Sequence, residues 1–210
     1  MRPRLLTITP ARGANRVRFD ARITLRFSLP VDSLSLAGGV ELLGQDSAGV
    51  AGKWEVISPM EPVFIPEEPL AAGTEYTVAV HLSRLRTVFG DSLGDSLYTH
   101  RFSTWPKEEL GEIAGIVTAG DTTWKQAIVR AVSLRGNDAY SVVTPLGRPY
   151  EIPFVPEGRY RVSAVVDVNG NGEYDPGGSI PFNFAEPFVI YPDTVNVRKR
   201  WATDGIDFRF

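Results

Sequence analysis

Residues 22–29 read Arg-Ile-Thr-Leu-Arg-Phe-Ser-Leu, so that Ile, Leu, Phe and Leu occupy every second position. Successive side chains of an extended strand point to opposite faces. The alternation therefore predicts a strand with one face on an apolar core and the other in water. Pro30 follows, and a residue without an N–H group ends such a strand. This pattern sets the expected fold class.

The same alternation recurs in both halves of the chain, at residues 75–82, 160–166 and 206–210. The 16 prolines and 20 glycines are scattered between these runs and leave no long helical pattern. Many short strands separated by turn residues are typical of a sandwich or a barrel. We predict an all-β chain made of two tandem β-sandwich domains.

The best candidate for a domain boundary is the stretch Trp105-Pro-Lys-Glu-Glu-Leu110, which lies between two strand-like runs. Pro106 cannot donate to a sheet ladder, and the adjacent glutamates favour solvent. The halves show no repeat at a fixed period, which indicates two different modules. The predicted organisation is a first domain over residues 1–105, a linker over residues 106–110 and a second domain over residues 111–210.

Bulk composition excludes several classes of function. The net charge is −3 with both signs interspersed, whereas nucleic-acid binding needs a basic face, so no nucleic-acid partner is expected. The basic cluster at residues 198–200 is predicted to be a solvated turn. The chain has no cysteine, which excludes disulfides, thiolate metal sites and cysteine nucleophiles.

The sequence predicts no transmembrane span in this chain, because no run of 18 apolar residues exists. The first residues also lack the apolar segment of a signal peptide. If the protein is exported, we expect that Met1 replaces a removed leader or lies inside a longer chain that carries further domains or a lipid anchor.

No group of residues typical of an enzyme stands out. His81 and His100 lie in strand-like runs without the spacing of a zinc motif, and no nucleophile elbow or phosphate loop is present. The pairs Glu67-Glu68 and Glu108-Glu109 point to opposite faces in an extended chain, so they do not form an acid–base pair. We therefore expect a protein that is not an enzyme. The alternative of an enzyme would need a cleft with convergent polar groups and a strongly perturbed carboxylate.

Three segments of the first half share a pattern of turns and strand entries. TITPARGANRVRFDARITLRFSLPVD (7–32) has a Pro-x-x-Gly turn and ends in Phe-Ser-x-Pro-Val-Asp, and PLAAGTEYTVAV (69–80) contains Leu-x-x-Gly-Thr-x-Tyr-Thr-Val. GDSLGDSLYTHRFST (90–104) has an Asp-x-x-Gly loop followed by Phe-Ser-Thr. In this order the segments resemble the bacterial Ig-like domain of S-layer and other surface proteins. The resemblance implies a sandwich without catalytic residues over residues 3–105.

Two segments of the second half point to another module. GEIAGIVTAG (111–120) opens with Gly-x-Ile-x-Gly-x-Val, and YEIPFVPEGRYRVSAVVDVNGNGEYDPG (150–177) has a Pro-x-Gly-x-Tyr hairpin before an acidic loop. They are similar to prealbumin-like or carboxypeptidase-regulatory-like β-sandwich modules. Such modules are accessories of exported proteins. The resemblance implies an extracytoplasmic bacterial protein that is secreted, held at the cell surface or attached to the outer membrane as a lipoprotein.

The acidic loop of the second half has the spacing of a metal-binding loop. Oxygen-bearing residues occupy loop positions 1, 3, 5, 7 and 9, which are Asp167, Asn169, Asn171, Glu173 and Asp175. Glu173 would contribute its backbone carbonyl, and Gly172 at position 6 permits a sharp turn. This is the first part of an EF-hand-type calcium loop, and Ca²⁺ is a hard cation that takes oxygen ligands. We predict weak binding, with a dissociation constant on the order of 10⁻⁴–10⁻³ M.

The match to a calcium loop is incomplete at its end. Position 12 should be a bidentate glutamate but is Gly178, so the missing ligand has to come from Glu186 or from water. The alternative is a hairpin turn without metal, because Asn-Gly is a strong hairpin signal and occurs at residues 169–170 and 171–172. The sequence leaves both interpretations open.

The expected function is cell-surface structure, adhesion or domain spacing, with an unidentified protein or glycan at the cell surface as partner. The alternative is a carbohydrate-binding accessory module of a secreted hydrolase. That alternative needs exposed, coplanar aromatic rings, whereas packing in the cores or between the domains explains single tryptophans equally simply. The candidates are Trp54, Trp105, Trp124 and Trp201, together with the seven tyrosines.

Overall fold

The computed structural model describes residues 3–136, 138–180 and 182–210, and it divides the chain into two compact units, Met1–Pro106 and Lys107–Phe210. Each unit has its own buried apolar core. The sequence assigned residues 106–110 to a linker. In the structure, Lys107–Glu109 forms a 3₁₀ turn, and the buried Leu110 is already the first residue of a strand.

The first unit is a β-sandwich. Its strands are β1 (Leu5–Thr9), β2 (Ile23–Phe27), β3 (Val40–Leu43), β4 (Gly52–Glu55), β5 (Val63–Pro66), β6 (Glu75–His81) and β7 (Leu97–Ser103). One antiparallel sheet has the order β1-β2-β5-β4 and the other the order β3-β6-β7. Leu25, Phe27, Val78 and Phe102 are buried in the core of the unit.

Strand β2 buries the apolar positions of its alternating sequence. Ile23, Leu25 and Phe27 are buried, while Arg26 on the other face forms an ion pair of 3.1 Å with Glu61. The sequence predicted the strand to Leu29, but it ends two residues earlier.

A short helix, α1 (Ser33–Gly39), follows this strand. The carboxylate of Asp32 caps it by accepting the N–H of Leu34 at 3.1 Å. Leu36 is fully buried in the core of the first unit. The sequence analysis missed α1 because a helix of seven residues is too short to show a helical period.

The Gly-Thr-x-Tyr and Phe-Ser-Thr patterns meet at one end of the sandwich. The Tyr76 hydroxyl accepts the N–H of Ala71 at 2.8 Å, and its ring stacks on Phe102 at 5.6 Å. The Thr104 hydroxyl donates to the carbonyl of Ala71 at 2.6 Å and accepts the N–H of Thr74 at 3.0 Å. These contacts explain why both patterns belong to one fold: together they close the turn before β6.

The second unit is also a β-sandwich. Its longer strands are β8 (Leu110–Thr118), β9 (Gln126–Ser133), β10 (Ala139–Pro145), β11 (Pro149–Pro156) and β12 (Gly158–Asp167). Its short strands are β13 (Gly178–Ser179), β14 (Phe182–Asn183), β15 (Phe188–Ile190), β16 (Val195–Val197), β17 (Ala202–Thr203) and β18 (Phe208–Arg209).

Two sheets of the second unit enclose its core. One has the order β10-β9-β12-β15, with β16 also paired to β12. The other has the order β11-β8-β17, with β18 also paired to β8, and β13-β14 forms a separate small hairpin. Both β17 and β18 run parallel to β8. Tyr160, Val162, Ala164 and Val166, which the sequence aligned on one face of a strand, are all buried.

The Gly-x-Ile-x-Gly pattern lets the end of the chain lie on β8. A β-carbon at Gly111 would stand 2.3 Å from the Arg198 carbonyl oxygen, and one at Gly115 would stand 2.2 Å from the Ile206 carbonyl oxygen. Both distances are far inside van der Waals contact, so only glycine fits. Ile113, between the two glycines, is fully buried.

Within the described ranges, no helix has the length and apolar character needed to cross a membrane.

Candidate functional site

The loop after β12 is organised around the carboxylate of Asp167, which is 2% exposed. Its Oδ1 accepts the N–H groups of Gly170 at 2.6 Å and Asn171 at 3.1 Å. Its Oδ2 accepts the N–H of Gly172 at 2.8 Å and the side-chain amide of Gln126 at 2.7 Å. A carboxylate has about four lone-pair sites. In this conformation Asp167 uses all of them to hold the loop and β9.

Two glycines give the loop its turn. Gly170 and Gly172 have φ angles of +77° and +78°, in the left-handed region that side-chain-bearing residues rarely adopt. This backbone conformation points successive N–H groups inward at Asp167. The two Asn-Gly pairs in the sequence thus turn three successive backbone N–H donors toward the Asp167 carboxylate.

The other predicted ligands meet at Asp175. Asn169 and Asn171 both donate their side-chain N–H groups to Asp175 Oδ2, at 2.5 and 3.0 Å. Their own amide oxygens accept the N–H groups of Asn171 at 2.9 Å and Glu173 at 2.8 Å. The structure therefore brings positions 1, 3, 5 and 9 of the loop together, while the Glu173 side chain is exposed.

Glu186 closes the loop from outside it. This residue is 6% exposed, and its two oxygens accept the N–H of Val168 at 2.7 Å and the N–H of Asp175 at 3.0 Å. The sequence named Glu186 as a source of the missing ligand, and the fold does bring it to the loop. Gly178, at position 12, lies in the hairpin strand β13. The contribution of Gln126 had no signal in the sequence, because it depends on the pairing of β9 with β12.

The hydrogen-bond donors around Asp167 stabilise its ionised form. Burial raises the pKa of its carboxyl, but the hydrogen bonds from Gln126, Gly172, Gly170 and Asn171 outweigh burial and keep the pKa below its usual value. An unfolded aspartate titrates near about pH 3.9. Because the folded pKa is the lower one, ionised Asp167 stabilises the fold above that pH, and the contribution is lost as the pH falls through the folded pKa.

This linkage predicts a pH-dependent difference between the protein and an Asp167→Asn variant. We expect the difference in the free energy of unfolding to be largest near pH 7 and to shrink below about pH 4. Urea unfolding at a series of pH values, in the presence of a chelator, measures it. A difference of equal size at pH 7 and pH 3 would show that the ionised carboxylate is not the source of the stabilisation.

No group of three or more His, Asp or Glu side chains converges as a metal site among the residues that the structure describes. The loop brings two carboxylates together with two amides, so a cation there would depend on amide and backbone oxygens for most of its ligands.

A second polar area lies on the outer side of β8 and β11. A groove of about 500 Å³ is lined by Glu112, Glu151 and Trp201, among others. The hydrogen bond with Glu151 raises the pKa of the Glu112 carboxyl, with smaller contributions from desolvation and from the negative charges of Glu151 and Asp204.

His100 and three of the four tryptophans pack against neighbouring groups. His100 is buried with its Nε2 at 2.6 Å from the carbonyl oxygen of Pro10. Trp54 packs on Phe64, Trp124 packs edge-on against Phe210, and Arg16 lies over the ring of Trp105. Trp201 is different, because 70% of it is exposed.

Comparison with known protein families identifies the first unit. The family model described as a bacterial Ig-like domain matches residues 1–104. The first unit therefore belongs to the bacterial Ig-like domain family, and the resemblance of its three sequence segments is confirmed. The match ends where the first unit ends. The similarity of the second unit to prealbumin-like modules stays a prediction.

Solved structures provide distant neighbours. CopC from Methylosinus trichosporium OB3b is 20% identical over 51% of this chain and 98% of its own, with a TM-score of 0.39. An L,D-transpeptidase from Mycobacterium smegmatis is 15% identical over 100% of this chain and 90% of its own, with a TM-score of 0.42. The N-terminal part of the bacterial S-layer protein SbsC is 17% identical over 90% of this chain, with a TM-score of 0.39.

The chain spans 43% of that S-layer structure and 49% of an L,D-transpeptidase from Mycobacterium tuberculosis H37Rv. Identities and TM-scores this low transfer no function to the chain. None of the curated proteins compared with the chain matches it.

Proposed function

We propose that the chain is a non-catalytic, extracytoplasmic module that serves bacterial cell-surface structure, adhesion or the spacing of neighbouring domains. The observation that carries this proposal is the bacterial Ig-like domain over residues 1–104, followed directly by a second β-sandwich. Sandwiches of this kind present rigid sheets and short loops, which suits display and spacing. The finer choice among structure, adhesion and spacing depends on the partner.

Location is the first property to test. In the bacterium that encodes the chain, protease added to spheroplasts should cleave the protein while a cytoplasmic marker stays intact. The fragments can be followed with an antibody against residues 107–210. Protection in spheroplasts, with cleavage only after lysis, would contradict an extracytoplasmic role.

We also propose that weak Ca²⁺ binding stiffens the loop of the second unit. Asn169 and Asn171 now donate amide N–H groups to Asp175. Rotation of these amides would present oxygens to a cation beside that carboxylate, together with the carbonyl of Glu173. Asp167 is occupied by four donors, so its part would be to hold the loop in shape. Glu186 would supply the support that a complete calcium loop takes from position 12.

Calcium is expected to raise the melting temperature of the second unit at millimolar concentration, and a chelator should reverse the effect, because a ligand that binds the folded state stabilises it. Asp175→Asn should abolish the response, since it removes the carboxylate on which the amides converge. The matched control is Glu173→Gln, which keeps the backbone carbonyl and should respond like the parent. An equal calcium response in Asp175→Asn and the parent, or no response in the parent, would rule out the site.

The carbohydrate-binding alternative has weaker support. Stacking on sugars needs flat rings exposed on one face. Of the four tryptophans, Trp201 is exposed, whereas Trp54, Trp105 and Trp124 are half-buried. The tryptophans therefore do not form the exposed platform that this alternative requires.

A further inference from the structure

The outer face of the second unit, defined as the solvent-facing side of the sheet β10-β9-β12-β15, presents ordered rows of side chains. Strand pairing aligns Ile128 with Val165 and Val165 with Phe188, which makes an apolar row. The next row aligns Arg130 with Ser163 and Ser163 with Ile190. Arg161 follows in a third row, opposite Val132. The face therefore changes from apolar to basic along the strands.

Among the described residues, neither arginine at the basic end of the outer face forms an ion pair. No carboxylate of the described chain lies within ion-pair distance of Arg130 or Arg161. The two arginines are diagonal neighbours on adjacent strands, which places their β-carbons about 7–8 Å apart. Asp193 lines a neighbouring groove beside Arg161, and Glu173 lines the opposite, apolar end. Two like charges at this spacing favour a bound anionic group.

The apolar end of the outer face is exposed to an unusual degree. Phe188 is 58% exposed and Ile190 is 50% exposed, although both lie in a strand. Tyr174 packs edge-on against Phe188 at 6.3 Å and forms a wall. Together with the sheet this wall encloses a groove of about 560 Å³. A contiguous apolar patch beside charged groups is typical of a protein-interaction site.

We propose that the outer face binds an extended segment of a partner polypeptide in which an apolar residue precedes acidic residues at every second position. Adjacent rows on one face are two residues apart, or about 6.6 Å, which equals the repeat of an extended peptide. An apolar side chain would cover Val165 and Phe188 while carboxylates two and four residues later meet Arg130 and Arg161. Arginine suits this role because its guanidinium binds carboxylates in a bidentate manner.

Charge and shape favour a polypeptide over the other occupants. The two aromatic rings of the groove, Tyr174 and Phe188, are inclined at 70° and so do not form the coplanar platform on which sugars stack, while Ile128, Val165 and Ile190 are aliphatic. The apolar and basic ends of the outer face indicate the chemistry of an adhesion partner, so this proposal rests on the proposed function and extends it. It does not depend on calcium, and binding can be measured in the presence of a chelator.

The test uses the full chain and three labelled peptides. The probe is Phe-Thr-Asp-Thr-Asp-Gly, and the controls are Phe-Thr-Lys-Thr-Lys-Gly and Ser-Thr-Asp-Thr-Asp-Gly. We expect the affinity of the probe to exceed that of either control by about fivefold or more, because only the probe matches both the apolar and the basic end of the outer face. Methyl NMR signals of Ile128 and Val165 should shift during the titration.

Matched variants distinguish binding at the outer face from a general effect of net charge. Arg130→Ser with Arg161→Ser should reduce probe binding about tenfold. Arg148→Ser with Arg209→Ser changes the net charge equally on exposed positions outside the face and should leave binding unchanged. Equal binding by both double variants, or shifts confined to residues outside the face, would overturn the proposal.

Two other occupants give distinct results. Concentration-dependent dimerisation that shifts the Ile128 and Val165 signals would assign the face to a second copy of the chain. Binding to phosphatidylcholine or phosphatidylglycerol vesicles without peptide binding would assign it to a lipid surface. Either result would overturn the proposal, while failure of the spheroplast experiment would contradict only the proposed location.

Discussion

Gly115→Ala is expected to destabilise the second unit by about 3 kcal/mol or more, because overpacking against backbone cannot be relieved by a rotamer change. The new β-carbon would stand 2.2 Å from the carbonyl oxygen of Ile206 and 2.6 Å from its carbonyl carbon. That carbonyl also accepts the hydroxyl of Tyr150 at 2.6 Å, and the N–H of Ile206 donates to Ala114 at 3.1 Å. Relief of the clash would break both bonds.

Denaturant unfolding measures the loss of free energy of unfolding. Hydrogen exchange with mass spectrometry shows which unit is destabilised. Exchange should accelerate in residues 107–210 and stay unchanged in residues 3–104, because the units have separate cores. The matched control is Gly120→Ala, whose β-carbon would have the Phe210 carbonyl oxygen at 4.0 Å as its nearest neighbour. A loss below about 1 kcal/mol in Gly115→Ala would contradict the close crossing of β8 by the end of the chain.

Asp167→Ala is expected to destabilise the second unit by about 3 kcal/mol, since the loss of a buried acceptor leaves several donors unsatisfied. Gly170, Asn171 and Gly172 would lose the acceptor of their N–H groups, and Gln126 would lose its partner on β12. The measurement is urea unfolding at pH 7 with a chelator present, so that no cation contributes.

The control for Asp167→Ala is Asp193→Ala, because Asp193 is an exposed carboxylate of the same unit. It should change the free energy of unfolding by less than about 0.5 kcal/mol. Hydrogen exchange at residues 168–175 should accelerate in Asp167→Ala alone. If the two variants are equally stable, the hydrogen bonds of Asp167 do not hold the loop.

The fold class was accessible from the sequence because its cause is local. Alternation along residues 22–29 reports which face of one strand is buried, and the structure buries Ile23, Leu25 and Phe27. The two β-sandwiches and the Ig-like nature of the first unit are confirmed. Helix α1 could not be predicted, because seven residues make fewer than two helical turns and show no repeating pattern. Its capping residue, Asp32, is also a common turn residue.

The candidate loop was accessible in part for the same reason. Spacing of Asp, Asn and Gly between residues 167 and 175 determines which oxygens and N–H groups face inward, since each is set by backbone turns a few residues long. Whether this loop holds calcium stays a prediction. The positions of Gln126 and Glu186 depend on partners 41 and 18 residues away, and such pairings have no local sequence signal.

The alternating strands and the turn-forming Asn-Gly pairs of the loop could be predicted from the sequence, because they follow from the geometry of neighbouring residues. By contrast, the role of Gly111 and Gly115 in leaving room for the backbone at Arg198 and Ile206 became visible only in the folded chain. The same holds for Arg130 and Arg161, which the pairing of β9 with β12 brings to one face of a sheet. Both features depend on which strands pair and in what register, and the residues next to one another in the sequence do not specify that pairing.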